Sequence, residues 1–552
     1  MARSSTPADL PLQIQKNSPI SLPSQLAEQI RGLILSQTLT PGDSLPATRT
    51  LSARLAISRG SVVAAYEQLA GEGYVSTGRS GTKVSADLQE LDAAPRQALA
   101  PGSHLNPRPS AASPIVSAQT QRARTPVMHT PAPDEVPRRI GRATPMKLPT
   151  KNIIDLRPGS PDTATIATAP WRAAWRKAAA DPSKTYPAMG SPALQQQLAE
   201  HLRLMRSVVR EPETIMVTAG ARDAFRLVLS TLRRERRNRP LRVAVENPGY
   251  PSLHKIPATF GHEILPIAVD ENGLNPAGLP TRHKPDLVLV APSHQYPLGA
   301  SMPVARRLEL LTWAAEHDAY IVEDDYDSEL RYVGEPLPAL AALARPAQNN
   351  HTSHIGQIER ADDLDRVITL GSFAKTLTPG LGLGYMLAPA QLTPALAGLR
   401  ADLGSPVSAM VQDAISQFML DGGVRRHIAR MRRVYKARRN VLLTALEQEH
   451  LPGWVQVLPM DGGLHVVLKF APDFANENTE QFVVEKAEQA GVRVAALGDY
   501  WAHSGAAENE RAFGVVVGFG GVTERALERG VHLVAQSVRG AEVTSLKNNP
   551  LK

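Results

Sequence analysis

No cysteine occurs anywhere in the 552 residues, which removes disulfides, thiolate zinc sites and cysteine nucleophiles from consideration. Aromatic residues are sparse at 5%, and no apolar run reaches the roughly 20 residues that a membrane-crossing helix needs. The first residues, MARSSTPADLPLQIQKNSP, lack the apolar centre of a signal peptide, so a cytoplasmic location with no membrane partner is expected. Charge is not balanced: 61 Lys and Arg against 53 Asp and Glu leave +8, which permits a nucleic-acid partner without specifying one. A chain of this length exceeds what one hydrophobic core supports and implies two or three domains.

What is present divides into three textures. Residues 1–85 contain apolar positions at helical spacing (Leu26, Ile30, Leu33, Ile34) after a candidate N-cap, Ser24. A Pro41-Gly42 turn leads to a short helix, Thr48 to Leu55, and Ser58 caps a third helix with Val62, Tyr66 and Leu69 inward. Two short strands joined by a glycine-containing turn (Gly78 to Gly81) complete a winged helix-turn-helix. Residues 86–150 turn to alanine, proline, serine and threonine; such a segment buries too little apolar surface to order and reads as a flexible linker. Its root-mean-square span, about 45 Å for a coil of that length, would let paired modules reach half-sites about 34 Å apart.

From 151 to about 540, apolar strands alternate with amphipathic helices: IMVTAG then ARDAFRLVLSTL, LRVAVE, DLVLVAP, AYIVEDD and RVITLGS. The alternation predicts an α/β domain with a mainly parallel sheet and a ligand site at the strand ends. A long helical stretch, Val407 to Glu447, precedes a smaller C-terminal α/β subdomain at about 430–540; 541–552 reads as a polar tail and Arg345 to Asp363 as a surface insertion. The basic run RRHIARMRRVYKARRN reads as a solvated helix face. Lys375 follows the apolar run Val367-Ile368-Thr369-Leu370, is flanked by hydroxyls and precedes Pro379-Gly380, a setting that suggests a Schiff-base lysine rather than a surface charge.

LTPGDSLPATRTLSARLAISRGSVVAAYEQLAGEGYVSTGRSGTKV and SFAKTLTPGLGLGY together resemble the MocR/GabR-type regulators, in which a GntR-type winged helix is fused to an aminotransferase-like domain of fold type I. The resemblance implies a DNA-binding transcription regulator, a head-to-tail homodimer on an operator with repeated half-sites, pyridoxal 5'-phosphate as cofactor, and a small-molecule effector. It assigns DNA contacts to Arg49, Ser58, Arg59, Ser61, Gly81 and Lys83. Arg49 and Arg59 open the second and third helices, where side chains reach the major groove or a phosphate. In the large domain it implies the Schiff base at Lys375 and phosphate contacts from Ser372 and from the helix start at Gly220. It gives Asp324 the pyridine nitrogen, with Asp325 the alternative, Tyr326 the phenolic oxygen, and Tyr250 the ring face. Tyr296 stands where common aminotransferases carry an asparagine, after His294 and Gln295, and Tyr186 resembles a tyrosine that reaches a neighbouring subunit's phosphate. No metal ligands are implied.

Two departures bear on function. Gly382 stands where relatives place an arginine that grips the phosphate, and Arg222, two residues after Gly220, is the candidate replacement. Val516 stands where active aminotransferases clamp the substrate carboxylate with arginine, and Ser252 where GabR has a second ligand-binding arginine. Transamination of common amino acids is therefore not expected. An active aminotransferase with a DNA-binding appendage, or a regulator that has lost the cofactor, are the alternatives.

Overall fold

The computed structural model describes residues 10–15, 22–35, 38–71, 74–78, 81–84, 153–184, 187–332, 338–344, 365–502 and 511–548. The expected linker, the 345–363 insertion and Tyr186 lie outside the described residues.

In the N-terminal part, helix Leu22–Leu35 buries Leu26, Ile30 and Ile34 one turn apart, the stripe that their spacing predicts. It starts two residues before Ser24, which is therefore inside the first turn and not the N-cap. Helix Thr48–Leu55 ends at Ala56, which turns into the left-handed region at φ 49°. The next helix, Arg59–Gly71, is capped by Ser58, whose Oγ accepts from Ser61 N at 3.0 Å, and it buries Val62, Tyr66 and Leu69. Strands Val75–Gly78 and Gly81–Val84 pair antiparallel as the wing. One feature escaped the sequence reading: residues 10–15 run extended along the first helix. Gln29 and Gln25, one turn apart, each exchange a pair of hydrogen bonds with the backbone of Gln13 and Gln15, at 2.6–3.0 Å. Two amide side chains thus supply a ladder that no neighbouring strand provides.

The main sheet has the order Met216–Thr218, Gly384–Leu387, Val367–Ser372, Tyr320–Asp325, Leu287–Val290, Arg242–Asn247, Glu263–Asp270, Gly273–Leu274. The pairings from Val367–Ser372 through Glu263–Asp270 are parallel; the outer ones are antiparallel. Alternation puts Ala244, Val288 and Ile321 in one core and Val245, Leu289 and Val322 in the other, so both faces are covered, as an apolar parallel strand requires.

The expected single helix from Val407 to Glu447 is two, Ala409–Leu420 and Gly423–Gln448, because Gly422 adopts φ 69° between them. Strands Val455–Val457, His465–Phe470, Gly514–Gly518 and Ala495–Ala496 form a second, antiparallel sheet whose core includes residues from Gly423–Gln448, Glu477–Gln489 and Glu524–Asn548. The last of these helices runs well into the expected tail. Ile154–Asp155 pairs with Val492–Arg493, so the chain adds a strand to the C-terminal subdomain directly after the 86–150 segment. The basic run on Gly423–Gln448 is not simply solvated. Arg430 donates to Thr165 O at 2.6 Å, Arg438 pairs with Asp162 at 2.7 Å, and Arg439 donates to Met460 O at 2.7 Å. These arginines fasten the helix to distant backbone, and local periodicity could not reveal those partners.

Candidate functional site

Three chain segments meet at the carboxyl ends of the central strands. The turn after Val367–Ser372 carries Lys375, partly buried, whose Nζ donates to Gly159 O at 2.6 Å. Gly159 has φ 85°, a conformation that favours glycine, and a Cβ there would lie 2.6 Å from the amine, so a larger residue would make the lysine head shift. Ser372 Oγ accepts from Ala374 N at 3.1 Å. On the neighbouring strand-to-helix turn, Gly220 precedes helix Ala221–Glu235 with φ 81° and open space where a side chain would stand. Unobstructed N–H groups at a helix start form a ready anion seat. Gly384 approaches Gly220 so closely that an added Cβ would sit 2.9 Å from its Cα. At the rim Arg222 donates to Ser252 Oγ at 2.8 Å.

The two adjacent acids part company here. Asp325 lies 2.8 Å from Arg206 Nε with both side chains buried, so its charge is neutralised within the protein. Both acids leave one buried oxygen without a hydrogen-bond partner, Asp324 Oδ1 and Asp325 Oδ1, so the difference between them is the Arg206 ion pair. Burial, then the charges of Asp325 and Asp327, push the Asp324 carboxyl up to about 7, opposed by Lys375. Tyr326 donates its hydroxyl proton to His294 O at 2.8 Å, with His294 Nδ1 3.0 Å away, and Nδ1 is also 2.9 Å from Asp327 Oδ2. That network occupies His294 as a structural hydrogen-bonder.

Tyr250, at the start of Pro251–Thr259, stands edge-on to Tyr296 at 5.3 Å; Tyr296 in turn touches Tyr326, His465 and Tyr500. His465 donates to Pro297 O at 2.8 Å, and burial, then His294, lower it to about 3, so it is neutral. Val516 is fully buried with Tyr296, Val467, Leu497 and Tyr500 in an apolar and aromatic wall. At Gly382, φ is 54° and the space beyond is open. Sequence reasoning missed Gly159, His465, Tyr500 and Glu246. Glu246 had one signal, an acid closing the apolar strand Arg242–Asn247.

In the winged helix, Arg49 lies exposed in the first turn of Thr48–Leu55 and Arg59 exposed at the start of Arg59–Gly71. Arg59 Nε donates to Thr48 Oγ1 at 3.4 Å, which brings the two helix starts together. Ser58 and Ser61 share a 2.9 Å hydroxyl contact, so Ser58 serves first as a cap. Gly81, at φ 106°, and exposed Lys83 lie on the wing.

Comparison with known proteins matches residues 22–84 to "Bacterial regulatory proteins, gntR family" and residues 151–499 to "Aminotransferase class I and II". The chain is 41% identical to the pyridoxine biosynthesis transcriptional regulator PdxR of Corynebacterium glutamicum, over 94% of this chain and 96% of that protein. It is 29% identical to the probable rhizopine catabolism regulatory protein MocR of Rhizobium meliloti, over 94% of each. Among solved structures, the α-aminoadipate aminotransferase LysN of Thermus thermophilus superposes with a TM-score of 0.60 at 23% identity, covering 71% of this chain and 94% of that one. A multiple substrate aminotransferase from Thermococcus profundus gives 0.60 at 24% identity over 72% and 93%. With both segments matched in one chain and regulators similar over nearly its whole length, the protein belongs to the MocR type of transcription regulators, a GntR-family DNA-binding domain joined to an aminotransferase class I and II domain.

Proposed function

We propose that this regulator binds pyridoxal 5'-phosphate in its aminotransferase-like domain and reads the cofactor's presence out as altered operator binding, without turning over common amino acids. The observation that carries the reading is the pairing of buried, unpartnered Asp324 Oδ1 with Lys375 at the same strand ends, beside an apolar Val516 wall. The residues present fit the cofactor. Asp324 offers a carboxylate to a protonated ring nitrogen, and Tyr250 offers a ring face. Gly220 and the first turn after it offer N–H groups to a phosphate, with Ser372 beside them and Arg222 as the nearby cation in place of an arginine at 382. Tyr326, its proton committed to His294, can still accept at its oxygen. When bound, the group supplies an electron-withdrawing ring and an aldehyde reactive toward amines.

Lys375 would exchange the Gly159 carbonyl for that aldehyde. Val516 and Ser252 supply no cation to orient a substrate carboxylate, which favours sensing over turnover. The relative named for pyridoxine biosynthesis fits an effector that is the cofactor itself. On the DNA side, Arg49, Arg59 and Lys83 would contact phosphates or base edges, with Ser58, Ser61 and the Gly81 turn setting the approach. A cytoplasmic head-to-tail homodimer presenting two winged helices to repeated half-sites completes the proposal; ligand occupancy then shifts the population of dimer arrangements.

The test is optical. Purified protein mixed with pyridoxal 5'-phosphate should develop a visible absorption band that persists after gel filtration, and Lys375→Ala should lose it. A wild-type chain that stays colourless with excess cofactor would overturn the reading.

A further inference from the structure

Two carboxyl groups face one recess at the ends of the strands Arg242–Asn247 and Tyr320–Asp325, which are separated in the sheet by Leu287–Val290. One is Asp324; the other is Glu246, which neither the family motifs nor the comparisons assign to any role. Each is buried, and each has one oxygen without a hydrogen-bond partner, Asp324 Oδ1 and Glu246 Oε1. The other Glu246 oxygen accepts from Ala291 N at 3.3 Å. Two ionised carboxylates buried in one recess repel each other, which favours a proton on one of them.

We propose that Glu246 is a further residue of the cofactor site, present as a neutral carboxylic acid beside ionised Asp324, so that the pair carries one negative charge to match one protonated ring nitrogen. The proposal rests on the cofactor reading above and refines it.

The surroundings assign the proton to Glu246 rather than Asp324. Lys375 is the cation that favours the ionised form of Asp324. Glu246 is met by Tyr250 and His254 from the helix Pro251–Thr259, by Tyr296, and by the Gln295 side chain. None of these brings a positive charge: burial holds His254 neutral, at about 4, and Gln295 is uncharged. Burial raises the Glu246 carboxyl to about 8, opposed by the Ala291 N–H and the Gln295 amide and reinforced by Asp324. Its ordinary value is 4.5, so the folded chain holds a proton that the unfolded chain has released between those limits. Stability from this group is full below the lower value and is lost as pH rises through the higher one.

Infrared spectroscopy of the cofactor-free chain tests the proton directly. The difference spectrum between wild type and Glu246→Gln at neutral pH should contain a carboxylic-acid carbonyl band, separate from any contribution of Asp324 at about 7, and in the wild type that component should fade as pH rises past about 8. The Gln variant keeps the neutral shape, so it should melt higher than wild type near pH 8 and no higher near pH 4.5. Adding pyridoxal 5'-phosphate to the wild type should shift the Glu246 band, because the acid lines the recess the ring enters; a band that the bound cofactor leaves unmoved would put Glu246 outside the site. An unchanged band in Glu246→Gln overturns the proposal. The infrared result needs no cofactor, so a wild type that fails to bind it would sink the sensing reading and leave the Glu246 proton decided separately.

Discussion

At Gly382 the backbone lies in the left-handed region with open space in front of it, at the position where the family resemblance implies a phosphate-gripping arginine. Gly382→Arg would add a charge-assisted contact worth about 1.5–3 kcal/mol and incur about 1–2 kcal/mol for an L-residue at that φ. The backbone cost falls on the folded chain with or without cofactor and lowers its stability, so the contact should show as roughly tenfold or more tighter cofactor binding, measurable by absorbance titration. Tightening of that size would mean that the native site is a clamp short; no change would mean that Arg222, now on Ser252, already fills the role. As candidates, Lys375, Asp324, Tyr250 and Val516 were legible in the sequence because each sits in a short motif that carries the family resemblance; their roles are those proposed above. The choice between Asp324 and Asp325 was not, since Arg206, which neutralises one of them, lies more than a hundred residues away. Glu246 was hidden for a similar reason: an acid at a strand end reads as solvated until its burial is known.

Strands and short helices were the most readable elements, because an apolar run bounded by glycine or proline has one good solution. Helix Thr48–Leu55, helix Ala221–Glu235 and the five main-sheet strands Met216–Thr218, Arg242–Asn247, Leu287–Val290, Tyr320–Asp325 and Val367–Ser372 lie where patterning puts them. The break at Gly422 is local, a glycine at positive φ that helical periodicity overlooks, whereas the glutamine ladder on residues 10–15 and the strand Ile154–Asp155 depend on tertiary partners that periodicity does not encode. Packing between paired strands yields its own prediction. Gly371 on Val367–Ser372 faces Tyr385 on the antiparallel neighbour, and a Cβ at 371 would fall 2.0 Å from the tyrosine ring. Gly371→Ala should therefore destabilise the large domain by about 1–3 kcal/mol through overpacking. Pairing it with Tyr385→Ala should recover part of the loss relative to the sum of the single changes, in denaturant melts. Simple additivity would mean that the ring moves aside without cost.

Across the whole molecule, one chain joins two chemistries: a lysine and a buried acid at the carboxyl ends of a parallel sheet, and two arginines at neighbouring helix starts of a winged helix. Neither half alone explains the other. A sensor needs the cofactor to favour one arrangement of the DNA-binding modules over another, and only differential affinity can shift that balance. The decisive measurement is operator affinity with and without saturating pyridoxal 5'-phosphate, in the wild type and in Lys375→Ala. A coupling of about 1–3 kcal/mol, or 5–150-fold, is predicted for the wild type, and none for the variant, with the cofactor-free affinities alike. Equal wild-type affinities in both conditions, or a response that survives the loss of Lys375, would contradict it.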